Sequence, residues 1–118
     1  MNFIEHTFKG KRIAEVELDG PAISSTEEGV DLLGNLYFNG FEAVILRHDQ
    51  LHPDFFELRS GLAGDILQKF SNYRMKLAIV GHFQEVKSNA LRDFIRESNR
   101  TGQIAFVSSI EEGLEQLG

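Results

Sequence analysis

The sequence predicts a single α/β domain with a mostly parallel sheet of four or five strands. Three apolar runs, at 42–47, 75–81 and 104–107, are spread along the 118 residues. Segments with helical periodicity separate them, and strands that alternate with helices are typical of parallel sheets with right-handed crossovers. A chain of this length suits one domain, and no internal repeat or linker is apparent.

The two N-terminal strands are predicted to form a β-hairpin. Apolar and polar residues alternate in "RIAEVEL", where Ala14, Val16 and Leu18 share one face. Residues 2–8 form a less regular strand on the other side of Gly10, and a glycine between two such segments is a turn signal. We expect the first strand to pair antiparallel at one edge of the sheet.

Four helices complete the predicted order ββαβαβαβα. Their predicted bounds are Ser25–Phe38, Asp54/Ser60–Asn72, Ser88–Asn99 and Ile110–Leu117. Serine followed three residues later by glutamate, as at Ser25 and Glu28 or at Ser109 and Glu112, is the spacing of a capping box. The first helix carries the apolar residues Val30, Leu32, Leu33, Leu36 and Tyr37.

The composition excludes several kinds of site and partner. The chain has no cysteine, which rules out disulfides and thiolate chemistry and favours a reducing compartment, so we predict a cytoplasmic location. A net charge of −6 without a long basic cluster argues against nucleic acid as a partner. No apolar stretch of about 18 residues and no signal-peptide pattern are present, so we expect no membrane association.

The first candidate site surrounds two glycines in a predicted helix. Gly61 and Gly64 interrupt an otherwise strong helical pattern in "ELRSGLAGDILQKF", and each costs about 1 kcal/mol relative to alanine in a helix interior. Close helix-to-sheet packing is one explanation, and the approach of a partner backbone or a phosphate to the helix N-terminus is the other. Ser60, which follows Arg59, is predicted to accept a hydrogen bond from the backbone of residue 62 or 63.

The second candidate site comprises polar residues that follow two predicted strands. His48, Asp49, His52 and Asp54 come after the run at 42–47, and His82 comes after the run at 75–81. If these strands are neighbours, all five residues can meet at the carboxyl edge of the sheet, where open α/β sheets bind ligands.

Three interpretations of this second set remain open. Two imidazoles with carboxylates can hold zinc or iron. Acid–base catalysis is another use, and a plain polar loop in which Asp54 caps the next helix is a third. Because the HExxH spacing of known zinc sites is absent, we predict neither a metal nor another cofactor.

A stripe of arginines marks the third helix. Arg92, Arg96 and Arg100 recur every four residues, beside Asp93 and Glu97. Such a stripe is either a solvated face with helical ion pairs or a contact for an acidic partner or anion.

The order of elements and the sequence around Ser60 resemble the STAS fold of anti-sigma-factor antagonists. In that fold an apolar strand leads through a loop into a helix that opens with a Ser-Gly-Leu type of sequence. Here "AVILR" leads to "SGLAG" at residues 60–64. From about Ile23 onward, the chain is also similar to an uncharacterised bacterial family, domain of unknown function 4180. That second resemblance rests on "FFELRSGLAGDILQKFSNYRMKLAIVG" and "LRDFIRESNR".

The STAS resemblance implies a non-enzymatic regulatory module that binds another protein and is switched by phosphorylation or a ligand at Ser60. No catalytic serine motif of the G-x-S-x-G type is present, which agrees with that role. The alternative is a small enzyme, or a metal- or ligand-binding protein, that uses His48, Asp49, His52 and His82. A further hypothesis is a homodimer formed through the edge strand or through surplus phenylalanines of the helix at 54–72.

Overall fold

The five strands lie side by side in the order in which they occur in the chain. The computed structural model describes all residues, Met1–Gly118. The strands are β1 (Asn2–Phe8), β2 (Lys11–Glu17), β3 (Ala43–Arg47), β4 (Lys76–Val80) and β5 (Ile104–Val107). The helices are α1 (Thr26–Phe38), α2 (Leu62–Asn72), α3 (Asn89–Thr101) and α4 (Ile110–Leu117). The prediction of an α/β fold with a mostly parallel sheet is therefore confirmed.

The N-terminal hairpin forms as expected. β1 pairs antiparallel with β2, from Asn2 opposite Glu17 to Phe8 opposite Lys11, and the remaining neighbours are parallel. Lys9 and Gly10 have φ of 52° and 80°, and positive φ at both central residues of a two-residue loop is the type I′ pattern that matches strand twist. β1 is thus an edge strand of the sheet.

The two faces of the sheet are covered unequally. Because each crossover steps in the same direction along the sheet, right-handed connections put α1, α2 and α3 on one face. A cluster of 21 buried hydrophobic residues fills that side. On the other face a cluster of 7 buried residues, which includes Ile13, Ile45 and Leu117, lies beneath α4.

Serine caps begin three of the four helices, as the spacing predicted. The side chain of Ser25 accepts the backbone N–H of Glu28, and Ser109 accepts that of Glu112 in the same way. The return bonds of the two glutamates differ from the expected capping box. Each carboxylate accepts from the residue before the cap, at 2.7 Å from Ser24 and 3.2 Å from Ser108.

The predicted start of the second helix at Asp54 is wrong, whereas the alternative start at Ser60 lies close to the observed one. α2 begins at Leu62, and residues 48–60 form three 3₁₀ turns instead, at His48–Gln50, Pro53–Phe55 and Leu58–Ser60. In α1, Val30 and Tyr37 are 40% and 62% exposed and lie outside the buried face formed by the three leucines. None of the four helices is both long enough and apolar enough to span a bilayer.

Candidate functional site

Three adjoining cavities lie along the carboxyl edge of the parallel strands. β3 and β4 are hydrogen-bonded neighbours, with Arg47 opposite Val80, so the loops that follow them meet. His48 and His82 line the same two cavities there, of about 180 Å³ and about 410 Å³. A third cavity of about 300 Å³ shares Gly81 with the first, and we call the three together the strand-end cleft.

The chemical character of the strand-end cleft changes along its length. Arg47, Asp49 and Ser108 accompany the two histidines in the smallest cavity. Phe56 and Phe83 accompany them in the largest one. The cleft therefore presents polar groups at one end and aromatic rings at the other, a combination that suits a small amphipathic molecule.

The charged and hydroxyl groups of the cleft are largely used within the chain. The Arg47 guanidinium lies 3.7 Å from the Asp49 carboxylate, which offsets both charges. The Ser108 hydroxyl donates to Glu112 at 2.7 Å. The imidazoles of His48 and His82 are exposed. They are therefore the groups of the cleft best placed to meet a ligand.

Gly81 allows the rings of the cleft to approach the end of β4. An ideal Cβ on Gly81 would lie 2.9 Å from Cζ of Phe83 and 3.2 Å from Cβ of His48. Since real Cβ contacts are longer, any side chain here forces the Phe83 ring away. A glycine at this position is therefore a packing requirement of the cleft.

Five polar residues were predicted to lie together, and two of them, His52 and Asp54, do not line the cavities that contain His48 and His82. His52 and Asp54 pair with each other, because the Asp54 backbone N–H donates to Nδ1 of His52 at 3.0 Å. Asp54 also does not cap α2, which begins eight positions later at Leu62. No group of three or more histidine, aspartate and glutamate side chains is arranged to hold a metal ion.

Ser60 lies at the entrance of α2 with its hydroxyl in two hydrogen bonds. Its Oγ accepts the backbone N–H of Leu62 at 3.2 Å, as predicted, and donates to the carbonyl oxygen of Asp54 at 2.5 Å. Ser60 and Arg59 are both exposed. The hydroxyl thus ties the 3₁₀ turns to the start of α2 while remaining at the surface.

Close packing does not explain the two glycines near Ser60. Gly61 has a φ of 80°, in the left-handed region that favours glycine, because it ends a 3₁₀ turn and redirects the chain into α2. Gly64 is exposed, and a Cβ there would meet nothing within 4 Å. The glycine that allows two helices to pack closely is instead Gly29 of α1, which faces Ile66 of α2.

The arginine stripe of α3 is an ion-paired solvated face. Arg92 bonds Asn89, Arg96 bonds Asp93 and Arg100 bonds Glu97, each three residues back. The hydrogen bonds from Arg100, with its charge, lower the pKa of Glu97. The expected helical ion pairs therefore form at Arg96 and Arg100, whereas Arg92 bonds to the uncharged side chain of Asn89.

Sequence reasoning missed an apolar groove between α1 and α2. The groove encloses about 220 Å³. It is lined by Tyr73, which follows α2, and by four residues of α1, namely Val30, Leu33, Gly34 and Tyr37. The rings of Tyr37 and Tyr73 meet edge to face at 5.6 Å. The sequence did indicate a second apolar surface, because the apolar residues of α1 cover more of the helix circumference than one buried face requires.

The phenylalanines of residues 54–72 do not supply the surplus contact surface that was expected. Phe55 and Phe70 are 1% and 0% exposed, so they belong to the core. Phe56 is partly buried and packs against that core and against Phe83. Phe55 and Phe70 therefore offer no exposed ring for a contact with another chain.

Comparison with known proteins gives one match. A family model described as a domain of unknown function (DUF4180) matches residues 8–117 of the 118. No curated protein and no solved structure matches the sequence significantly.

Proposed function

Given that the chain belongs to the DUF4180 family, we propose that it is a regulatory module that binds another protein rather than an enzyme. In this proposal the partner contacts the entrance of α2, formed by Ser60, Gly61 and Gly64, and phosphorylation or a ligand at Ser60 switches the contact. The fold is STAS-like in the same proposal.

Gly64 carries this proposal. A glycine inside a helix costs about 1 kcal/mol relative to alanine, so it needs a compensating role. The chain offers none, since Gly64 is exposed, lies within the ordinary helix α2 and has no atom within 4 Å of an added Cβ. A bare stretch of helix backbone at the surface allows another protein to approach more closely than any side chain would permit.

The geometry of Ser60 supports a switch at the same place. The hydroxyl is exposed and lies one residue before Gly61, where the N-terminus of α2 carries partial positive charge. A kinase that transfers the phosphoryl group of ATP to Oγ would displace the hydroxyl proton. The modified oxygen could then no longer donate to the carbonyl of Asp54. The phosphate group would bring about two negative charges to this position in place of that bond. It would shift the preceding turns and cover part of the contact surface.

The sequence pattern that resembles STAS domains agrees with this reading. The chain passes from β3 through a loop to Ser60 and Gly61, which lead directly into α2 at Leu62, and the strands occur in sequential order. Ser60 and the strand-end cleft lie at the same end of the sheet, because α2 starts where β3 ends. Fold resemblance is a weaker warrant for function than the site itself, so the tests address Ser60 and Gly64 directly.

Photo-crosslinking tests whether a partner contacts this surface. A benzoylphenylalanine replaces Gln68 in the natural host, because Gln68 is exposed on α2 one turn after Gly64 and leaves the bare glycine in place. A matched control carries it at Gln116, which is exposed on α4 across the sheet. We expect a specific crosslinked partner from position 68 alone. Equal products from both positions, or none from position 68, would refute the proposed surface.

The partner found in this way then tests the switch. Ser60→Asp should weaken its binding at least about tenfold, or about 1.4 kcal/mol, while Ser60→Ala retains binding. Ser71→Asp on the same helix is the matched control, since Ser71 is exposed and lies in the last turn of α2. Wild-type affinity in the Ser60→Asp protein would eliminate a charge switch at this serine.

A second function, a metal- or ligand-binding protein or small enzyme, is favoured by one observation. His48 and His82 line the same two cavities of the strand-end cleft. NMR titration with Zn²⁺, and separately with inorganic phosphate, tests this function through the imidazole resonances. We expect His48 and His82 to shift together, while His6, bonded to Glu15, serves as the internal control. If His6 shifts equally, or if neither cleft histidine shifts, this second function is rejected.

A further inference from the structure

The groove between α1 and α2 exposes more aromatic surface than any other part of the chain. Tyr37 and Tyr73, which line the groove, are 62% and 55% exposed, and Phe38, which follows Tyr37 outside the groove, is 89% exposed. Nothing lies within 4 Å of a Cβ added to Gly34, so the floor of the groove is open. Contiguous exposed apolar surface of this kind marks interaction sites, and tyrosine suits them because its hydroxyl tolerates water at the rim.

Opposite charges flank the two sides of this groove. α1 contains acidic residues and no basic one. On a helix of about 3.6 residues per turn, Glu27 and Asp31 project from the flank of α1 that faces away from α2. The chain beside the groove on the other flank carries Lys69 in the last turn of α2 and Arg74 just after Tyr73. All four charged residues are exposed.

These four charges are not used in ion pairs within the chain. The ion pairs of the chain involve other residues, chiefly at the hairpin, the loop after β3 and α3. The neighbouring acids are differently placed. Glu28 accepts from the backbone of Ser24, and Asp65 accepts from Thr26 at the opposite end of α2. The acidic flank of the groove is therefore formed by Glu27 and Asp31, and its basic flank by Lys69 and Arg74 at the C-terminal end of α2, away from Asp65 in the first turn.

We propose that the α1–α2 groove is the contact face of a homodimer. A two-fold interface is isologous, so the same patch must be complementary to itself. An apolar centre with an acidic flank on one side and a basic flank on the other meets that requirement. A two-fold axis that lies in the contact plane and runs along the groove brings each acidic flank against the basic flank of the second copy.

Charge complementarity is the reason for choosing a second copy over another partner. A partner that is only basic or only acidic would face repulsion from one flank of the groove, and like charges across an interface are unfavourable. The second copy satisfies both flanks at once and covers Tyr37 and Tyr73 of both chains. This dimer face lies on the outer side of α1 and α2 and does not depend on the role proposed for Ser60.

Sedimentation velocity over a range of concentrations, with charge reversals on each flank, tests the proposal. One variant carries Glu27→Lys and Asp31→Lys, and the other carries Lys69→Glu and Arg74→Glu. We expect the wild type to dimerise. Each variant alone should have a dimer dissociation constant at least about tenfold higher, because all flanks of that variant carry charge of the same sign. An equimolar mixture of the two variants should recover the dimer, since each flank again meets its opposite.

A matched control and a folding check make the result decisive. Glu111→Lys with Glu115→Lys reverses two exposed charges on α4, on the other face of the sheet, and should leave the dimer intact. Circular dichroism confirms that each variant is folded, because all substituted positions are at the surface. A wild type that stays monomeric, variants that dimerise as the wild type does, or a mixture that stays monomeric would each overturn the proposal.

Discussion

The side chain of Ile66 occupies the position that a Cβ on Gly29 would take. An added Cβ would overlap Cδ1 of Ile66 and lie 3.6 Å from Cγ2 of Ile23. α1 and α2 therefore touch at a point where one helix presents only backbone. This contact holds the two helices together below the groove that we assign to dimerisation.

Gly29→Ala is expected to destabilise the protein although alanine is the better helix former. Overpacking of a tight contact costs about 1–3 kcal/mol, which outweighs a propensity gain of about 1 kcal/mol. Urea unfolding measures the net loss. The clash involves the terminal methyl of Ile66, which Ile66→Val removes. The double variant Gly29→Ala/Ile66→Val should therefore lose less free energy of unfolding than the sum of the losses of the two single variants. Simple additivity would contradict this account.

Gly64→Ala is expected to have the opposite effect on stability. Nothing lies within 4 Å of the added Cβ, so the variant should gain about 0.5–1 kcal/mol in the free energy of unfolding. The same substitution should weaken partner binding if the bare backbone at Gly64 is the contact surface. A variant that loses stability would show that the glycine has a structural role inside the chain.

Gly81→Ala is expected to distort the strand-end cleft. Its Cβ would lie 2.9 Å from the Phe83 ring, which packs edge to face against Phe106 at 5.0 Å. Displacing that ring should cost about 1–3 kcal/mol and shift the NMR resonances of His48. Phe83→Leu in the same background should restore part of the stability because it removes the clashing ring atom. An unaltered His48 resonance would mean that the cleft does not depend on this contact.

Gln50→Leu is expected to be among the most destabilising polar substitutions. Gln50 is fully buried, and its amide donates to the carbonyls of Val16 and Leu18 at 3.0 Å and accepts the N–H of Arg47 at 2.8 Å. Leaving these groups without partners should cost about 3 kcal/mol in the free energy of unfolding. Gln68→Leu, at an exposed position, should change it by less than about 0.5 kcal/mol. Equal effects would show that the buried bonds add little.

The Glu5–Arg12 pair predicts part of the pH dependence of stability. Hydrogen bonds from Arg12, at 2.9 and 3.0 Å, lower the pKa of Glu5 in the folded protein. A folded-state pKa below the unfolded value gives stabilisation that is present above the unfolded pKa and is lost as pH falls through the folded pKa. Glu5→Gln should therefore reduce the loss of thermal stability that occurs as pH falls below the ordinary pKa of glutamate, and leave the slope of stability against pH unchanged at neutral pH. An unaltered acid profile would contradict it.

Short-range patterns predicted most of the fold. The alternation in residues 12–18, the apolar runs and the serine caps each depend on residues within a few positions of one another, and the structure follows them closely. The errors fell where local signals conflicted. Residues 53–60 have the apolar spacing of a helix, but Pro53 and the left-handed Gly61 divide them into 3₁₀ turns.

The candidate sites were predicted less completely. Ser60 at the helix entrance and the convergence of His48 with His82 followed from parallel strands that are neighbours, and both are observed. The departure of His52 and Asp54 did not follow, because they form a local pair in a turn. Gln50 and the groove at Tyr37 were missed, since their meaning depends on the elements packed around them.

Local chemistry along the chain is therefore sufficient for the succession of strands and helices, for their caps and for the edge position of β1. Only the folded structure decides which glycine packs against a neighbouring helix and which one is exposed. It also decides which α1 residues face solvent and which polar side chains share a cleft. The physical reason is distance along the chain. Gly29 meets Ile66, Tyr37 meets Tyr73 and His48 shares cavities with His82, and no periodic pattern in a short segment records contacts across more than 30 residues.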